Sequence, residues 1–200
     1  MTAEREILPD ADTYYMNIAI AVREKANCTG NRVGAVLVLE NRVIATGYNG
    51  VPEGLKNCLE GGCLRCTNPG NQFPSGTGYD LCICVHAEQN VLLTCARFGI
   101  AVQGATLYST MQPCFGCAKE LRQAKVKRII YLHSWTPSDS DPMMDARKKG
   151  EHDKLLAGLD SKQLFIEDLR AEWAVSAMRK KPASHPPQSS TALSSTTKGM

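Results

Sequence analysis

The sequence has no apolar run long enough to cross a bilayer, which removes a membrane-spanning segment from the expectations. It has no apolar stretch near its start either. Residues Met1 to Asp10 carry Glu4, Arg5 and Glu6, so neither a secretory signal nor a transit peptide is expected, and the expected location is intracellular and cytoplasmic. A strong charge of one sign is also missing: 23 Lys and Arg stand against 20 Asp and Glu, a formal net charge of +3, far from the basic bias of a protein that lives on phosphate backbone. Aromatic residues are scarce at 6%, which argues against a basic groove lined with rings for an extruded base. No Gly-rich phosphate cradle, no Arg cluster and no internal repeat is evident.

What remains is an ordinary globular balance, 43% hydrophobic and 22% charged over 200 residues, enough for one domain with a full core. Periodicity predicts a helix over 12–26, with Tyr15, Ile18, Val22 and Ala26 on one face. Val33 to Leu39 and Arg42 to Tyr48 read as a hairpin joined by Glu40-Asn41. From Asn49 to Asp80 the chain is rich in Gly, Pro, Asn and Cys and has no period, so something other than a hydrophobic core must order it. Regularity returns at His86. A helix to Phe98 is stopped by Gly99; a strand follows over Ala105 to Ser109, a helix over Cys114 to Ala124 and a strand over Arg128 to Leu132. Helix Asp145 to Ala157, strand Gln163 to Ile166 and helix Leu169 to Met178 complete an α/β sandwich. Residues 1–180 are thus expected to form the domain, with a cysteine-rich insertion over about 57–84 and a disordered tail over 181–200.

Nine cysteines, an odd number, suit metal ligands, core residues or catalysts better than disulfides in a reducing compartment. His86-Ala87-Glu88 and Pro113-Cys114-Phe115-Gly116-Cys117 together offer three zinc-type ligands and one carboxylate. A catalytic zinc takes three protein ligands and keeps a fourth position for water, whereas a structural site is closed by four. Cys114 and Cys117 are three apart and share a helix face, with Pro113 tolerated at or before the helix start. His86 and Glu88 are two apart and converge only if His86 stands at the very start of its helix. Two helix amino termini would then favour thiolates and hydroxide. Zinc lowers the pKa of bound water from roughly 15.7 to about 7. Glu88, if not itself a ligand, can move the protons, a role worth about a hundred- to ten-thousand-fold. His-x-Glu followed by Pro-Cys-x-x-Cys is the signature of zinc deaminases, which convert an amino-heterocycle to its keto form and ammonia.

Taken with Arg32-Val33-Gly34-Ala35-Val36, Gly47-Tyr48-Asn49-Gly50-Val51-Pro52 and the extensions to Asn90 and Lys119, these motifs resemble the deoxycytidylate (dCMP) deaminase family over about residues 12 to 135. The resemblance implies a three-layer α/β/α sandwich of the cytidine-deaminase type with a mixed five-stranded sheet, and conversion of dCMP to dUMP. It also implies a homo-oligomer, and in some members regulation by a deoxynucleoside triphosphate. Asn49, Ala87 and Asn90 fall at its substrate-contacting positions; Asn49 would bond the sugar unless it is a turn residue, and Asn90 would contact phosphate or cap local backbone. Some members carry a second, structural zinc, and Cys28, Cys58, Cys63 and Cys82 look like its ligand positions, with Cys66 and Cys84 as alternatives because any four of the six could close a tetrahedral site. The chain departs from the family at Val91, in its cysteine-rich segment, and after Leu132. Other functions with the same residues are deamination of dCTP or another amino-heterocycle, a nucleic-acid editor, and a non-catalytic zinc-stabilised binding module, for which Glu88 would have no use.

Overall fold

A computed structural model describes residues 8–67, 78–137, 139 and 141–174. Five strands form one sheet in the order β2-β1-β3-β4-β5, with β1 over Gly34–Leu39, β2 over Arg42–Tyr48, β3 over Thr106–Met111, β4 over Arg128–His133 and β5 over Asp160–Gln163. The β1 strand runs antiparallel to β2 and β3, while β3, β4 and β5 are parallel. The sheet is therefore mixed, as the family resemblance implies.

Alternation along β1 assigns its two faces. Val36 and Val38 pack with Tyr15, Met16 and Ala19 of α1 (Ala11–Arg23), joined by Tyr108, Ile130 and Leu132. Ala35 and Leu37 point the other way, onto Ala87, Val91 and Cys95 of α3 (Ala87–Phe98) and Leu121 of α4 (Phe115–Gln123), with Leu107 and Ile129 beneath. Both faces are covered, which makes three layers. The fit is close at Gly34, where a Cβ would stand 2.2 Å from the Ala19 carbonyl oxygen.

Local chemistry accounts for most element ends. Asp10 caps α1 by accepting from the Thr13 amide at 3.0 Å. Gly99 ends α3 at φ +67°. The β1–β2 turn puts both Glu40 (φ +50°) and Asn41 (φ +59°) in the left-handed region, the two-residue geometry that matches strand twist although Glu tolerates it poorly. Helix α1 ends at Arg23, three residues earlier than periodicity suggests, and its buried stripe is Tyr15, Met16, Ala19 and Arg23. Arg23 is fully buried because Asp168 meets its guanidinium at 2.8 and 2.6 Å and itself accepts from His133 Nε2 at 2.6 Å.

Three expectations shift. The last strand is Asp160–Gln163 rather than Gln163–Ile166: it is a polar edge strand in register with β4, while Leu164 and Ile166 pack beside α1 and Phe165 is exposed. The helix preceding it, α5 (Pro142–Leu156), begins three residues early behind an Asp141 cap. The expected final helix from Leu169 shows only a short 3-10 turn, Ala171–Ala174, and its remainder, like the expected tail, lies outside the described residues. Within the aperiodic segment two short turns form, a 3-10 turn at Cys58–Glu60 and α2 at Leu64–Thr67.

Candidate active site

Each ligand-type residue stands where a helix begins. His86 is the N-cap of α3 and Cys114 the N-cap of α4, both in extended backbone conformation, so their side chains project past the helix start. Glu88 and Cys117 lie in the first turns of the same helices. Three local devices bring the two starts together. The chain entering α3 is pinned by paired backbone hydrogen bonds between Gly50 and Val85, at 3.2 and 2.9 Å. Gln89 accepts from the His86 amide at 3.0 Å and donates to Glu120 of α4 at 2.9 Å. Gly47 on β2 lets α3 sit against the sheet, since a Cβ there would come within 2.5 Å of the Ala87 carbonyl oxygen.

The side chains converge as a triangle. His86 Nδ1 lies 3.4 Å from the sulfur of Cys114 and 3.4 Å from that of Cys117, and the two sulfurs are 3.6 Å apart. Zinc bonded at about 2.3 Å to sulfur and 2.0–2.1 Å to imidazole nitrogen gives tetrahedral edges of roughly 3.8 Å between sulfurs and 3.6 Å between sulfur and nitrogen. The triangle therefore has the size of one face of such a tetrahedron, and the donor set fits the metal. Two adjacent thiols also conflict electrostatically. Hydrogen bonding from Cys117, helped by His86, draws the Cys114 thiol down to about 4, while its neighbour Cys117 is pushed well up. A cation bound by both sulfurs removes that conflict, and the positive ends of two helices add to the effect.

Glu88 is 3% exposed, and its Oε2 lies 3.8 Å from the Cys117 sulfur. Burial pushes its carboxyl up to about 7, with His86 acting in the opposite direction. A carboxyl whose proton affinity is set near neutrality can both take and give a proton. A chain of rings leads away from His86: Tyr79 meets it edge-on at 5.7 Å, Trp135 lies 6.4 Å from Tyr79, and His152 lies 5.1 Å from Trp135 while bonding the Pro113 carbonyl through Nε2 at 2.9 Å. Sequence reading did not single out Tyr79, Trp135 or His152. None sits at a fixed spacing from the motif, and only the fold brings them to it.

The expected substrate contacts are engaged with the protein's own backbone. Asn49 is buried; its Oδ1 accepts from the Val33 amide and its Nδ2 donates to the Asn31 carbonyl, both at 2.8 Å. Asn90 Nδ2 donates to the Tyr48 carbonyl at 2.7 Å, the backbone-capping alternative. Ala87 is fully buried against the sheet. A cavity of about 560 Å³ is lined by Thr46, Tyr48, Val51, Val85 and Asn90, among others; His86, Glu88, Cys114 and Cys117 are not among its lining residues. The expected second zinc quartet is split: Cys28 and Cys58 fall in one four-sulfur group and Cys63 and Cys82 in another, and each group is completed by Cys66 and Cys84.

Residues 9–133 match the family described as the cytidine and deoxycytidylate deaminase zinc-binding region. Over 127 residues the chain is 42% identical to the deoxycytidylate deaminases of Schizosaccharomyces pombe and Saccharomyces cerevisiae, matching 64% of this chain in each case but only 38% and 39% of theirs. It spans well under half the length of those two yeast relatives. It is 39% identical to the deoxycytidylate deaminase of Mycobacterium phage D29 over 62% of this chain and 94% of that one. Among solved structures, the dCMP deaminase of cyanophage S-TIM5 in complex with dCMP and dUMP superposes with a TM-score of 0.57 at 26% identity, covering 80% of this chain and all of the other.

Proposed function

The chain belongs to the cytidine and deoxycytidylate deaminase family, and from that premise we propose that it hydrolyses dCMP to dUMP and ammonia with a zinc ion held by His86, Cys114 and Cys117. The observation that carries the reading is the triangle of three donors at 3.4–3.6 Å with a buried carboxyl beside it. A structural zinc would need a fourth protein ligand. Glu88 occupies the place where proton transfer is wanted.

A zinc ion held by His86, Cys114 and Cys117 would supply Lewis acidity enough to bring the pKa of water down to about 7. Glu88 would accept a proton from the attacking water, hand it to the ring nitrogen next to the carbon under attack, and pass the water's second proton, released from the new hydroxyl, to the departing amine. Water adds and ammonia leaves, so the ring exchanges an exocyclic amine for a keto oxygen with no change of oxidation state. Burial of Glu88 keeps bulk water from supplying the proton instead. The Tyr79 ring, edge-on to His86, gives an apolar flank suited to the face of a pyrimidine. The substrate is proposed from the named relatives, including the dCMP- and dUMP-bound phage enzyme.

Purified protein incubated separately with dCMP, dCTP, cytidine and single-stranded DNA should release ammonia with dCMP. Glu88→Gln should retain zinc and fold while losing about a hundred- to ten-thousand-fold in kcat. Cys117→Ser should lose zinc as well. Full activity in Glu88→Gln would overturn the proton-transfer assignment, and turnover of another compound alone would replace the substrate.

A further inference from the structure

The triangle at α3 and α4 uses two of the nine cysteines, and Cys95 lies in the core under α3. The other six, Cys28, Cys58, Cys63, Cys66, Cys82 and Cys84, cluster around the aperiodic segment, and all but Cys82 are buried. Their sulfurs form two groups of four, Cys28/Cys58/Cys66/Cys84 and Cys63/Cys66/Cys82/Cys84, each with every sulfur within 4.8 Å of the others. Cys66 and Cys84 belong to both.

The spacings are those of zinc thiolates. A tetrahedron with zinc–sulfur bonds of about 2.3 Å has edges of roughly 3.8 Å. Cys28 and Cys66 are 3.5 Å apart, Cys66 and Cys82 3.7 Å, and Cys63 and Cys82 3.8 Å. A disulfide would require about 2.05 Å. Two tetrahedra that share an edge need six sulfurs, of which two are common, and the two groups here share two of six in the same way.

We propose that this segment binds two zinc ions in one thiolate cluster, with Cys66 and Cys84 bridging, Cys28 and Cys58 completing one tetrahedron, and Cys63 and Cys82 completing the other. The quartet Cys28, Cys58, Cys63 and Cys82 then consists of the four terminal ligands, two for each ion. A single ion in either quartet leaves a pair of thiols packed against a doubly negative centre. Two divalent ions use all six thiolates at the same total charge and leave no thiol over. The terminal sulfurs also receive donors: the Thr29 amide bonds Cys58 and the Gly30 amide bonds Cys28, both at 3.3 Å, and such bonds offset thiolate charge. Zinc binding would supply the ordering free energy that the composition of this segment lacks.

The cluster shares no ligand with the deaminase site, so the two readings can fail separately. Native mass spectrometry of the full chain, with elemental zinc analysis, should find three zinc ions per chain. The Cys114→Ser/Cys117→Ser variant should find two. X-ray absorption at the zinc edge on that variant should show all-sulfur coordination and a zinc–zinc distance under about 4 Å, since both ions lie about 2.3 Å from each bridging sulfur. Two ions in both the wild type and the variant would leave the cluster standing and refute the catalytic zinc. One ion in the variant, or two without a zinc–zinc vector, would overturn the cluster. If the variant fails to fold, the wild-type count and its zinc–zinc vector decide the matter: fewer than three ions together with no vector refutes it.

Discussion

Gly47→Ala tests whether the sheet sets the position of the metal ligands. Gly47 lies on β2, and its missing side chain faces the first turn of α3. A Cβ there would stand 2.5 Å from the Ala87 carbonyl oxygen, 2.9 Å from the Val91 amide nitrogen and 3.0 Å from Asn90 Cβ. Ordinary contact begins at 3.4 Å, so the two backbones must separate by nearly an ångström. Displacing β2 would break its ladder with β1, in which Gly47 is paired with Ala35. The other partner in this contact is the start of α3, which carries His86 and Glu88.

Overpacking of this kind costs about 1–3 kcal/mol, which in a chain of this size lowers Tm by roughly 2–12 °C. The larger effect should be on chemistry. Zinc–ligand distances tolerate about 0.2 Å, and a shift of about 1 Å in a reacting group costs on the order of a hundredfold. Gly47→Ala should therefore keep its far-UV circular dichroism, bind zinc more weakly, and lose roughly one to two orders of magnitude in kcat/KM on dCMP. Gly150→Ala is the control. It lies on α5 with open space where its Cβ would go, so it should gain up to about 1 kcal/mol of stability with activity unchanged. A Gly47→Ala protein with unaltered activity, zinc affinity and Tm would refute the claim that this close approach positions the site.

Asp168→Asn leaves the buried Arg23 guanidinium without a countercharge and should cost about 3–5 kcal/mol, read as a loss of Tm with little change in kcat at a temperature where the variant is folded. The same pair predicts acid sensitivity. Burial alone would raise the Asp168 carboxyl, but hydrogen bonds from Arg23 and His133 outweigh it and hold it well below the usual carboxylate range. A depressed carboxyl contributes its full stability above the unfolded value of about 3.9 and loses it as pH falls toward the folded value. Wild-type Tm should therefore fall more steeply below about pH 4 than that of Asp168→Asn; equal slopes would contradict it. Chelation of zinc should abolish deamination and loosen the cysteine-rich segment, so that trypsin cuts faster after the exposed Lys56, and an unchanged digestion pattern in metal-free protein would argue against metal as the source of order there.

The parts of this molecule that were legible in its sequence are those decided by local chemistry. Whether His86 and Glu88 can meet depends on one helix start. The Gly99 stop and the hairpin turn are likewise settled within a few residues. Where a residue's environment comes from far along the chain, periodicity failed. Arg23 lies off the face that periodicity assigned to Tyr15, Ile18, Val22 and Ala26, yet it is fully buried, met by the carboxylate of Asp168, 145 residues away. The strand Asp160–Gln163 is polar and stands at the edge of the sheet among the described residues, so the apolar Leu164 to Ile166 drew the reading past it. The cysteine groups show the same limit. Six ligands of one chemical type at irregular spacing admit many quartets, and the choice among them is made by which turns the fold places together.

The cysteine group and the His86, Cys114 and Cys117 triangle are joined by very little chain. Cys84 is followed by Val85 and His86, and Val85 is itself held to Gly50 by two backbone hydrogen bonds. His86 therefore enters the site from a segment that is packed two residues upstream among the other cysteines, at Cys84, and tied one residue upstream to the chain leaving β2. Cys114 enters from the carboxyl end of β3, only three residues after the sheet ends at Met111. One half of the metal triangle is thus referenced to the sheet directly. The other half reaches it through the cysteine cluster, the Gly50–Val85 pair and the close approach at Gly47, which explains why a segment with no apolar period stands beside the residues that most need fixed positions.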